Sequence, residues 1–409
     1  MKNLQHLLPF IDTLLLANLA LLTYLTIFYY FKTIVALTLD KRADSDMKEA
    51  YELPFVTVAI PSYNEGKKVL EAVEHALSLD YPFFEVFLVD DSDEEASIRA
   101  IEELRLKYGN NTRLRIIHRS NREGFKGGAL NEVLRHVDPR SKVLVVFDVD
   151  FCYQKDFLKK AVLELPKQNA DAVQGYQCHV ANNASLATWY TSAIIAADYR
   201  IWLHASELLN GFKWITGSAF AVNISSLCKI GLFSGTLTED VDISCRLVLG
   251  GFKISYRDNL VAFGKPPTSL IELIKQQMRW IEGTSRDLKR YLLKLLLSKK
   301  TKVFEKADVL AYFLQYSSHL WITTFIMLLL VHSLLAELSI GLITSLLVFA
   351  FAPIFRVFGG LVKDYGASKK CIIGTLAYAV VACLMTPLGA YSTLRGFLAK
   401  KWHWYRTGK

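Results

Sequence analysis

The sequence predicts an α/β domain built on a parallel sheet and joined to helices that span a membrane. Apolar, strand-like runs alternate with helical patterns between residues 55 and 147, and this alternation gives a parallel sheet wrapped by helices. Of the 409 residues, 52% are hydrophobic, and soluble domains contain roughly 45–50%. Part of the chain is therefore expected to lie in lipid.

The first apolar segment covers residues 7–31 and contains one acidic and no basic residue. As a helix it is long enough to cross a hydrocarbon core of about 30 Å. It is longer than a signal peptide and lacks a small-residue cleavage site, so we interpret it as a retained anchor. Three more apolar stretches follow near the C-terminus, at about 309–335, 338–362 and 371–398.

The last of these stretches raises a question of topology. Lysines flank residues 371–398 on both sides, Pro387 lies near the middle, and the tail 399–409 is strongly basic. Basic residues beside a membrane segment favour the cytosolic side, and a proline can bend a helix. We therefore expect 371–398 to form a re-entrant hairpin and the C-terminus to be cytosolic.

The chain has a formal net charge of +9, and its basic residues are concentrated beside the apolar segments. This is the positive-inside pattern, so membrane orientation explains the charge and nucleic acid is not expected as a partner. The six cysteines show no C-x-x-C spacing, which predicts neither a zinc site nor a disulfide framework. A reduced, cytosolic setting for the polar part of the chain fits both observations.

The organisation expected along the chain has four parts. They are an N-terminal transmembrane helix at 1–39, a cytosolic α/β domain at 40–267, amphipathic helices at 268–300, and a C-terminal transmembrane region with a basic tail at 301–409. Residues 269–300 mix apolar side chains at three- and four-residue spacing with many lysines and arginines, which is typical of a helix on a membrane surface. Gly283 offers a point at which that helix would break.

Polar residues follow three of the predicted strands. They are "PSYNE" at 61–65, Asp90 with Asp91, and Asp148 with Asp150. Ligands bind outside the carboxyl ends of parallel strands, so these residues should converge on one crevice. A charge at the end of a buried strand needs compensation, and two carboxylates can hold Mg²⁺ or Mn²⁺ together with phosphate oxygens. Taken alone, each acidic pair also fits a turn or a surface position.

Three further motifs each have a structural explanation as well as a functional one. "REGFKGGALN" (122–131) places Lys126 and two glycines at a predicted helix start, which suits a phosphate or a plain helix entry. "TED" (238–240) opens another helix, where Thr238 could be the N-cap. "QQMRW" (276–280) puts Gln276, Arg279 and Trp280 on one helical face, as on many membrane-surface helices.

Taken together, these motifs are specific. In order and approximate spacing, PSYNE, DD, KGGALN, DVD, TED and QxxRW resemble the membrane-integrated family 2 glycosyltransferases, which include cellulose, chitin and hyaluronan synthases and ceramide glucosyltransferase. The resemblance covers about residues 55–297 and implies a Rossmann-like GT-A fold with amphipathic interface helices.

The resemblance also implies a role for each matching residue. The donor-binding residues would be Pro61, Tyr63, Glu65, Asp90, Asp91, Lys126, Asp148, Gln276 and Arg279. Asp148 and Asp150 would hold the divalent metal, Mg²⁺ or Mn²⁺, and Asp240 would be the general base. Gly217, Ser218, Glu239 and Trp280 would bind the acceptor.

The implied activity is inverting transfer of a sugar from a nucleotide-sugar donor, expected to be a UDP-sugar, to a hydroxyl of a β-linked polysaccharide or glycan. The protein would be a multi-pass protein of the cell membrane with its catalytic domain in the cytosol. One alternative is transfer of a single sugar to a membrane lipid such as a ceramide-like lipid, a diacylglycerol or a polyprenyl phosphate. A remote alternative is a membrane transporter with a nucleotide-binding domain, which would leave TED and QxxRW without a role.

Overall fold

The structure is a computed structural model that describes residues 6–39, 52–179, 181, 185–337 and 339–399. Segments 40–51 and 400–409, whose lysines and arginines are part of the orientation argument, lie outside the described residues. All six cysteines are described, and all are free in the structure.

Eight strands form one sheet in the described part of the chain. They are β1 Phe55–Ser62, β2 Phe84–Asp90, β3 Leu114–His118, β4 Ser141–Val146, β5 Phe151–Tyr153, β6 Ala172–His179, β7 Phe220–Asn223 and β8 Ile254–Gly264. Their order in the sheet is β3-β2-β1-β4-β7-β6-β8-β5. The first four strands are mutually parallel, as predicted, whereas β7 runs antiparallel to β4 and β6, so the whole sheet is mixed.

Helices cover both faces of the sheet. They are α2 Lys68–Leu77, α3 Glu95–Tyr108, α4 Phe125–His136, α5 Phe157–Lys167, α6 Leu186–Ala196, α7 His204–Leu209, α8 Ile224–Ile230, α9 Glu239–Gly250 and α10 Leu270–Leu297. A π-helix, Ala197–Leu203, joins α6 to α7. Along β1, Val58 and Ile60 pack into the apolar core on one face and Ala59 into the core on the other. Burial on both faces explains why the strands are continuous apolar runs.

Four further helices are long and apolar enough to cross a membrane. They are α1 Leu8–Thr38, α11 Val303–Leu335, α12 Ile340–Tyr365 and α13 Lys369–Leu398. They coincide with the four apolar segments identified in the sequence. The structure therefore confirms that the mixed sheet domain is combined with helices suited to a bilayer.

Two details of the helices differ from the sequence predictions. The hairpin expected at 371–398 is wrong, because α13 is one continuous helix with Pro387 inside it. A turn at Pro387 would leave backbone N–H and C=O groups without the partners that a continuous helix gives them. Helix α10 is likewise unbroken at Gly283. A Cβ at Gly283 would lie 2.5 Å from the Thr238 methyl carbon, so this glycine permits a close contact between α9 and α10.

Buried ion pairs connect the apolar helices to the sheet domain. Lys32 of α1 pairs with Asp308 of α11 at 2.5 Å, and both side chains are fully buried. Arg356 of α12 pairs with Asp198 of the π-helix at 2.9 Å. Removing one partner of such a pair typically costs about 3–5 kcal/mol. The charge of Arg356, inside an apolar segment, thus has a structural explanation.

Candidate active site

Two connected cavities open at the edge where the parallel strands end. The larger has a volume of about 430 Å³ and lies over the ends of β1, β2 and β4. The smaller, of about 160 Å³, lies between the end of β4, the start of α9 and helix α10. Both are lined by Lys126, Asp148, Asp150, Gln276 and Arg279. The strand-end motifs therefore converge on one site, as predicted, and five of the predicted residues lie where the two cavities meet.

The wall of the larger cavity contains the segment after β1. Pro61, Tyr63 and Glu65 all line it, together with the backbone of Gly66. The guanidinium of Arg122 stacks on the ring of Tyr63, with its central carbon 3.5 Å from the ring centroid. A planar cation on an aromatic face is a favourable cation–π contact, and it gives this cavity a positively charged wall that the motif comparison did not include.

The paired acids after β2 have different environments. Asp91 lines the larger cavity, and its Oδ1 accepts a hydrogen bond of 2.6 Å from Nε of Arg119. Burial raises the pKa of the Asp91 carboxyl, and the Arg119 guanidinium opposes that shift. Asp90 is fully buried and is bonded to Ser92 at 2.6 Å and to His118 at 2.9 Å. Asp91 thus faces the cavity, while Asp90 holds the loop and β3 in place.

The centre of the site contains a lysine held between acids. Lys126, in the first turn of α4, donates a hydrogen bond of 2.6 Å to Asp148 and another of 2.8 Å to the carbonyl of Gly217. Its Nζ also lies 3.8 Å from Glu239. Burial disfavours the charge on Lys126, but Asp148 and Glu239 outweigh this effect and raise its pKa. The lysine therefore stays protonated and connects the end of β4 to the start of α9.

The smaller cavity contains the predicted base and the tryptophan. Asp240, Glu239, Gly217 and Trp280 line it. Oδ1 of Asp240 accepts a hydrogen bond of 2.9 Å from the backbone N–H of Val241. Burial raises the pKa of both Asp240 and Glu239, and the charge of Lys126 opposes this for each. Two carboxyl groups with raised pKa values beside one lysine form an arrangement suited to accepting a proton.

Ser218 and Thr238 have supporting positions. Ser218 is fully buried, and its Oγ accepts a hydrogen bond of 2.8 Å from the backbone N–H of Asp148. It fixes the strand-end acid and is not among the described residues that line either cavity. The hydroxyl of Thr238 donates to Asp287 at 2.7 Å and makes no cap hydrogen bond to α9. Thr238 therefore attaches the TED segment to α10 instead of capping α9.

Helix α10 carries the remaining predicted residues to the junction of the cavities. Gln276 and Arg279 line both cavities, and Trp280 lines the smaller one. The Oε1 atom of Gln276 is buried and has no hydrogen-bond partner among the described residues. An unpaired buried acceptor costs free energy, and a hydroxyl group of a bound ligand would satisfy it. The spacing of this motif thus places its polar side chains at the site.

Sequence reasoning missed the cations supplied by the segment after β3. Arg119 and Arg122 lie in "RSNRE" (119–123), directly after the third parallel strand. The available signal was the same strand-end rule that identified the other three motifs. Applied to this strand as well, the rule would have placed these cations at the edge of the sheet.

A divalent metal fits the acidic residues at the junction only if a ligand completes its coordination. Asp148 and Asp150 supply carboxylate oxygens, and the described residues contain no group of three or more His, Cys, Asp or Glu side chains able to hold a metal. Mg²⁺ and Mn²⁺ commonly bind through one or two carboxylates with substrate phosphates and water. The acids, the lysine and Arg279 together thus suit a metal–diphosphate group.

The fold and site define a class of protein, the GT-A glycosyltransferases. A mannosyltransferase, PcManGT from Pyrobaculum calidifontis, solved in complex with GDP-Man and Mn²⁺, superposes with a TM-score of 0.63 over 96% of this chain and 100% of that chain, at 17% identity. A likeness at this identity establishes the fold, which is GT-A, as expected.

The family follows from the sequence comparison. The family model described as "Glycosyltransferase like family 2" matches residues 54–283, so the chain belongs to that family. Glucomannan 4-beta-mannosyltransferase 7 of Arabidopsis thaliana is 28% identical over 263 residues, covering 62% of this chain and 47% of that protein. Probable glucomannan 4-beta-mannosyltransferase 9 of Oryza sativa subsp. japonica is 28% identical over 280 residues, covering 66% and 53%. The chain spans about half the length of these relatives.

Proposed function

We propose that the protein is a membrane-bound, inverting glycosyltransferase that moves a hexose from a nucleotide-sugar to a hydroxyl of a β-linked glycan. The observation that carries this proposal is the meeting of the two cavities at Lys126, Asp148, Asp150, Gln276 and Arg279. The larger cavity has room for a nucleotide, and the smaller one presents a carboxylate to an incoming hydroxyl. Bond transfer then takes place at their junction.

The donor occupies the larger cavity in this proposal. The nucleoside lies against Tyr63 and Asp91, and its diphosphate extends towards the junction. Arg279 and Lys126 lie there, and Arg122 lines the same cavity, so three cations are available where negative charge develops as the diphosphate leaves. Fixed cations in a site that excludes water stabilise such a charge strongly.

A divalent metal would be held by Asp148 and Asp150 against the diphosphate. Bound there, it supplies Lewis-acid stabilisation of the leaving group. The N–H of Asp148 is fixed by Ser218, and its carboxylate by Lys126, so this acid is preorganised. The Mn²⁺ in the solved mannosyltransferase of the same fold supports the proposal of a divalent metal. Mn²⁺ and Mg²⁺ are both to be tested.

Acceptor and base meet in the smaller cavity. The acceptor sugar stacks on Trp280, and its hydroxyl lies beside Asp240, with Glu239 and Gly217 on the walls. Asp240 removes the hydroxyl proton while the oxygen attacks the anomeric carbon from the face opposite the diphosphate. One in-line displacement inverts the configuration, so an α-linked donor yields a β-linked product.

The relatives favour a glycan over a lipid as acceptor. They are named glucomannan 4-beta-mannosyltransferases, and the solved structure of the same fold contains GDP-Man. GDP-mannose is therefore the first donor to test, beside the UDP-sugars that the motif resemblance implied. Transfer to a ceramide-like, diacylglycerol or polyprenyl phosphate acceptor is the weaker alternative, because these comparisons do not favour it.

The test uses purified membranes containing the protein and a panel of labelled nucleotide sugars. Products are separated into a lipid-soluble and a polymeric or oligosaccharide fraction, and the linkage is checked with a β-specific glycosidase. We expect label in the glycan fraction only when a divalent metal is present. Label confined to the lipid fraction would reject the glycan acceptor, and resistance to the glycosidase would reject inversion from an α-linked donor.

We further propose that the catalytic domain and the C-terminus lie on the same, cytosolic side. Helix α13 contacts the sheet domain along its whole length. Near its start, Cys371 packs with Ala193 of α6. Near its end, Lys289 of α10 donates a hydrogen bond of 3.1 Å to the carbonyl of Phe397.

The other three apolar helices pack against the sheet domain over part of their length and against one another beyond it. Residues of α1, α11 and α12 form a separate apolar cluster, Ile11, Leu15, Leu22, Phe325, Leu329 and Phe349. In our proposal α1, α11 and α12 therefore cross the bilayer, and α13 lies along its cytosolic surface with an exposed apolar face that includes Leu376, Val380 and Leu384. This arrangement also agrees with the basic residues that flank α13.

Cysteine labelling tests this arrangement in sealed, right-side-out vesicles, in a background without the native cysteines. A cysteine introduced after Arg406 should react with a membrane-impermeant thiol reagent only after permeabilisation. The control is Glu337→Cys, between α11 and α12, which should react without it. Equal labelling of both positions in intact vesicles would show that α13 crosses the membrane.

A further inference from the structure

A third cavity, of about 200 Å³, lies away from the site just described. It is formed by the segment after α7, the end of α9, the start of β8 and the residues that precede α11. Among the described residues that line it, four are lysines and one is a glutamate: Lys213, Lys253, Lys300, Lys302 and Glu305. Positive charge is therefore in excess in a small cavity that is partly open to solvent.

The strongest feature of this cavity is a buried ammonium group. Lys213 is 7% exposed, and its Nζ donates a hydrogen bond of 2.9 Å to the carbonyl of Gly211. Its nearest carboxylate, Glu207, lies 3.9 Å away and also accepts a hydrogen bond of 2.9 Å from Ser255. Burial lowers the pKa of Lys213; the charges of Glu207 and Glu305 oppose this shift, and the charge of Lys253 adds to it. A bound anion would offset the cost of this buried charge.

Two other lysines are held in place without being neutralised. The Nζ of Lys253 donates a hydrogen bond of 2.7 Å to the carbonyl of Gln168. The Nζ of Lys300 donates one of 2.8 Å to the carbonyl of Gly250. Backbone carbonyls are neutral partners, so they fix the ammonium groups and leave their charge available. A phosphate group, with several acceptor oxygens, matches such a set of fixed cations.

The position of the cavity indicates where this phosphate comes from. It adjoins the start of α11, and the residues around that start expose apolar side chains: Leu293 is 71%, Leu297 79% and Val303 87% exposed. Exposed apolar residues beside lysines at the end of a membrane helix are expected at the lipid surface, where basic pockets bind anionic head groups. We propose that this cavity binds the phosphate of an anionic lipid head group.

The cavity is also connected to the acceptor side of the site. Lys213 lies four residues before Gly217, and α9 runs from Glu239 at the smaller cavity to Val248 at this one. An occupied head-group site would therefore hold both segments that form the acceptor cavity. The binding proposal does not depend on the sugar-transfer reaction, and its test measures binding alone.

The experiment titrates the purified full chain, in neutral detergent at constant ionic strength, with three probes. They are dioctanoyl phosphatidylglycerol, dioctanoyl phosphatidylcholine and sodium phosphate. The thermal unfolding midpoint reports binding, because a ligand that binds the folded state raises it. We expect a saturable rise with phosphatidylglycerol and none with phosphatidylcholine. Each surface lysine contributes about fivefold to affinity, so Lys253→Gln/Lys300→Gln should weaken binding roughly tenfold or more.

The matched control is Lys142→Gln/Lys159→Gln, which removes the same charge at two exposed lysines outside the cavity. This control should leave the affinity for phosphatidylglycerol unchanged. Both lysines changed in the cavity are themselves exposed, so the protein should still fold, and Lys213→Gln adds a test of the buried group. An equal loss in the control, or equal binding of phosphatidylcholine, would overturn the site. Sodium phosphate acting at the same concentration as phosphatidylglycerol would overturn the lipid source.

Discussion

The assignment of Asp240 as the general base leads to a sharp prediction for Asp240→Asn. One carboxylate oxygen, Oδ1, already accepts the N–H of Val241 at 2.9 Å. The other, Oδ2, faces Gly217, because a Cβ added there would lie 3.3 Å from it. Oδ2 is thus the atom available to an acceptor hydroxyl. An amide in its place keeps the shape of the side chain but cannot accept a proton.

The expected loss of turnover is about 10²–10⁴-fold, the usual contribution of general-base catalysis. This corresponds to roughly 3–5.5 kcal/mol of activation free energy. Donor binding should change by less than about threefold in Kd, or roughly 0.7 kcal/mol. The reason is that Lys126 retains its 2.6 Å contact with Asp148, and Asp240 lines the smaller cavity and not the larger one.

Two measurements decide the matter. Initial rates of transfer to a glycan acceptor give the turnover, and calorimetry with the nucleoside diphosphate and Mn²⁺ gives donor-site affinity. Asp80→Asn, at an exposed position, is the matched control and should leave both unchanged. If Asp240→Asn kept turnover within about threefold of the original, or lost donor affinity in step with turnover, Asp240 would not be the base.

Three further predictions follow from contacts in and around the site. Gly217 has φ +82°, so Gly217→Ala adds backbone strain of about 1–2 kcal/mol and places a methyl group close to Asp240. The transfer rate should fall at least about tenfold, while the affinity for the nucleotide stays the same. An equal loss of transfer rate and nucleotide affinity would contradict this prediction. Asp150→Ala should abolish Mn²⁺-dependent nucleotide binding in calorimetry, with Asp148→Ala weakening it less; unchanged binding without metal would defeat the metal assignment. Burial raises the pKa of Asp287 well above its usual range. The stability that the protonated carboxyl gives the folded protein is therefore fully present below about pH 4. This stability is lost as pH rises through the folded-state pKa. Asp287→Asn should therefore raise the unfolding midpoint at pH 8 more than at pH 5, and an equal shift at both pH values would argue against it.

The sequence was sufficient to predict the parallel half of the sheet and the convergence of the motifs. Strand ends in a parallel sheet share one edge, so Asp91 and Asp148 had to lie close to the segment after β1. Pattern alone could not separate residues that face the cavity from those behind it. Asp90 and Ser218 belong to the same motifs as Asp91 and Gly217. Yet the side chains of Asp90 and Ser218 are fully buried and hydrogen-bonded within the protein.

The antiparallel strand β7 and the topology of α13 were beyond pattern reasoning for a different reason. The short run at 220–223 has no periodicity that reveals its direction, which is set by pairing with β4 and β6. For α13, the flanking lysines and Pro387 suggested a hairpin, which is the wrong geometry. The helix satisfies its backbone without a turn, and its contacts with α6 and α10 arise from packing that no local pattern encodes.

The π-helix Ala197–Leu203 connects residues that are far apart in the sequence. On one side Asp198 pairs with Arg356 of α12 at 2.9 Å, and Arg200 pairs with Asp364 at 2.6 Å. On another side the hydroxyl of Tyr199 is hydrogen-bonded to Thr216, the residue before Gly217. The wider turn of a π-helix places successive side chains in directions that a regular helix would not. The wall of the smaller cavity is therefore attached to α12 through three consecutive residues of the π-helix, which explains why an arginine lies inside this apolar segment.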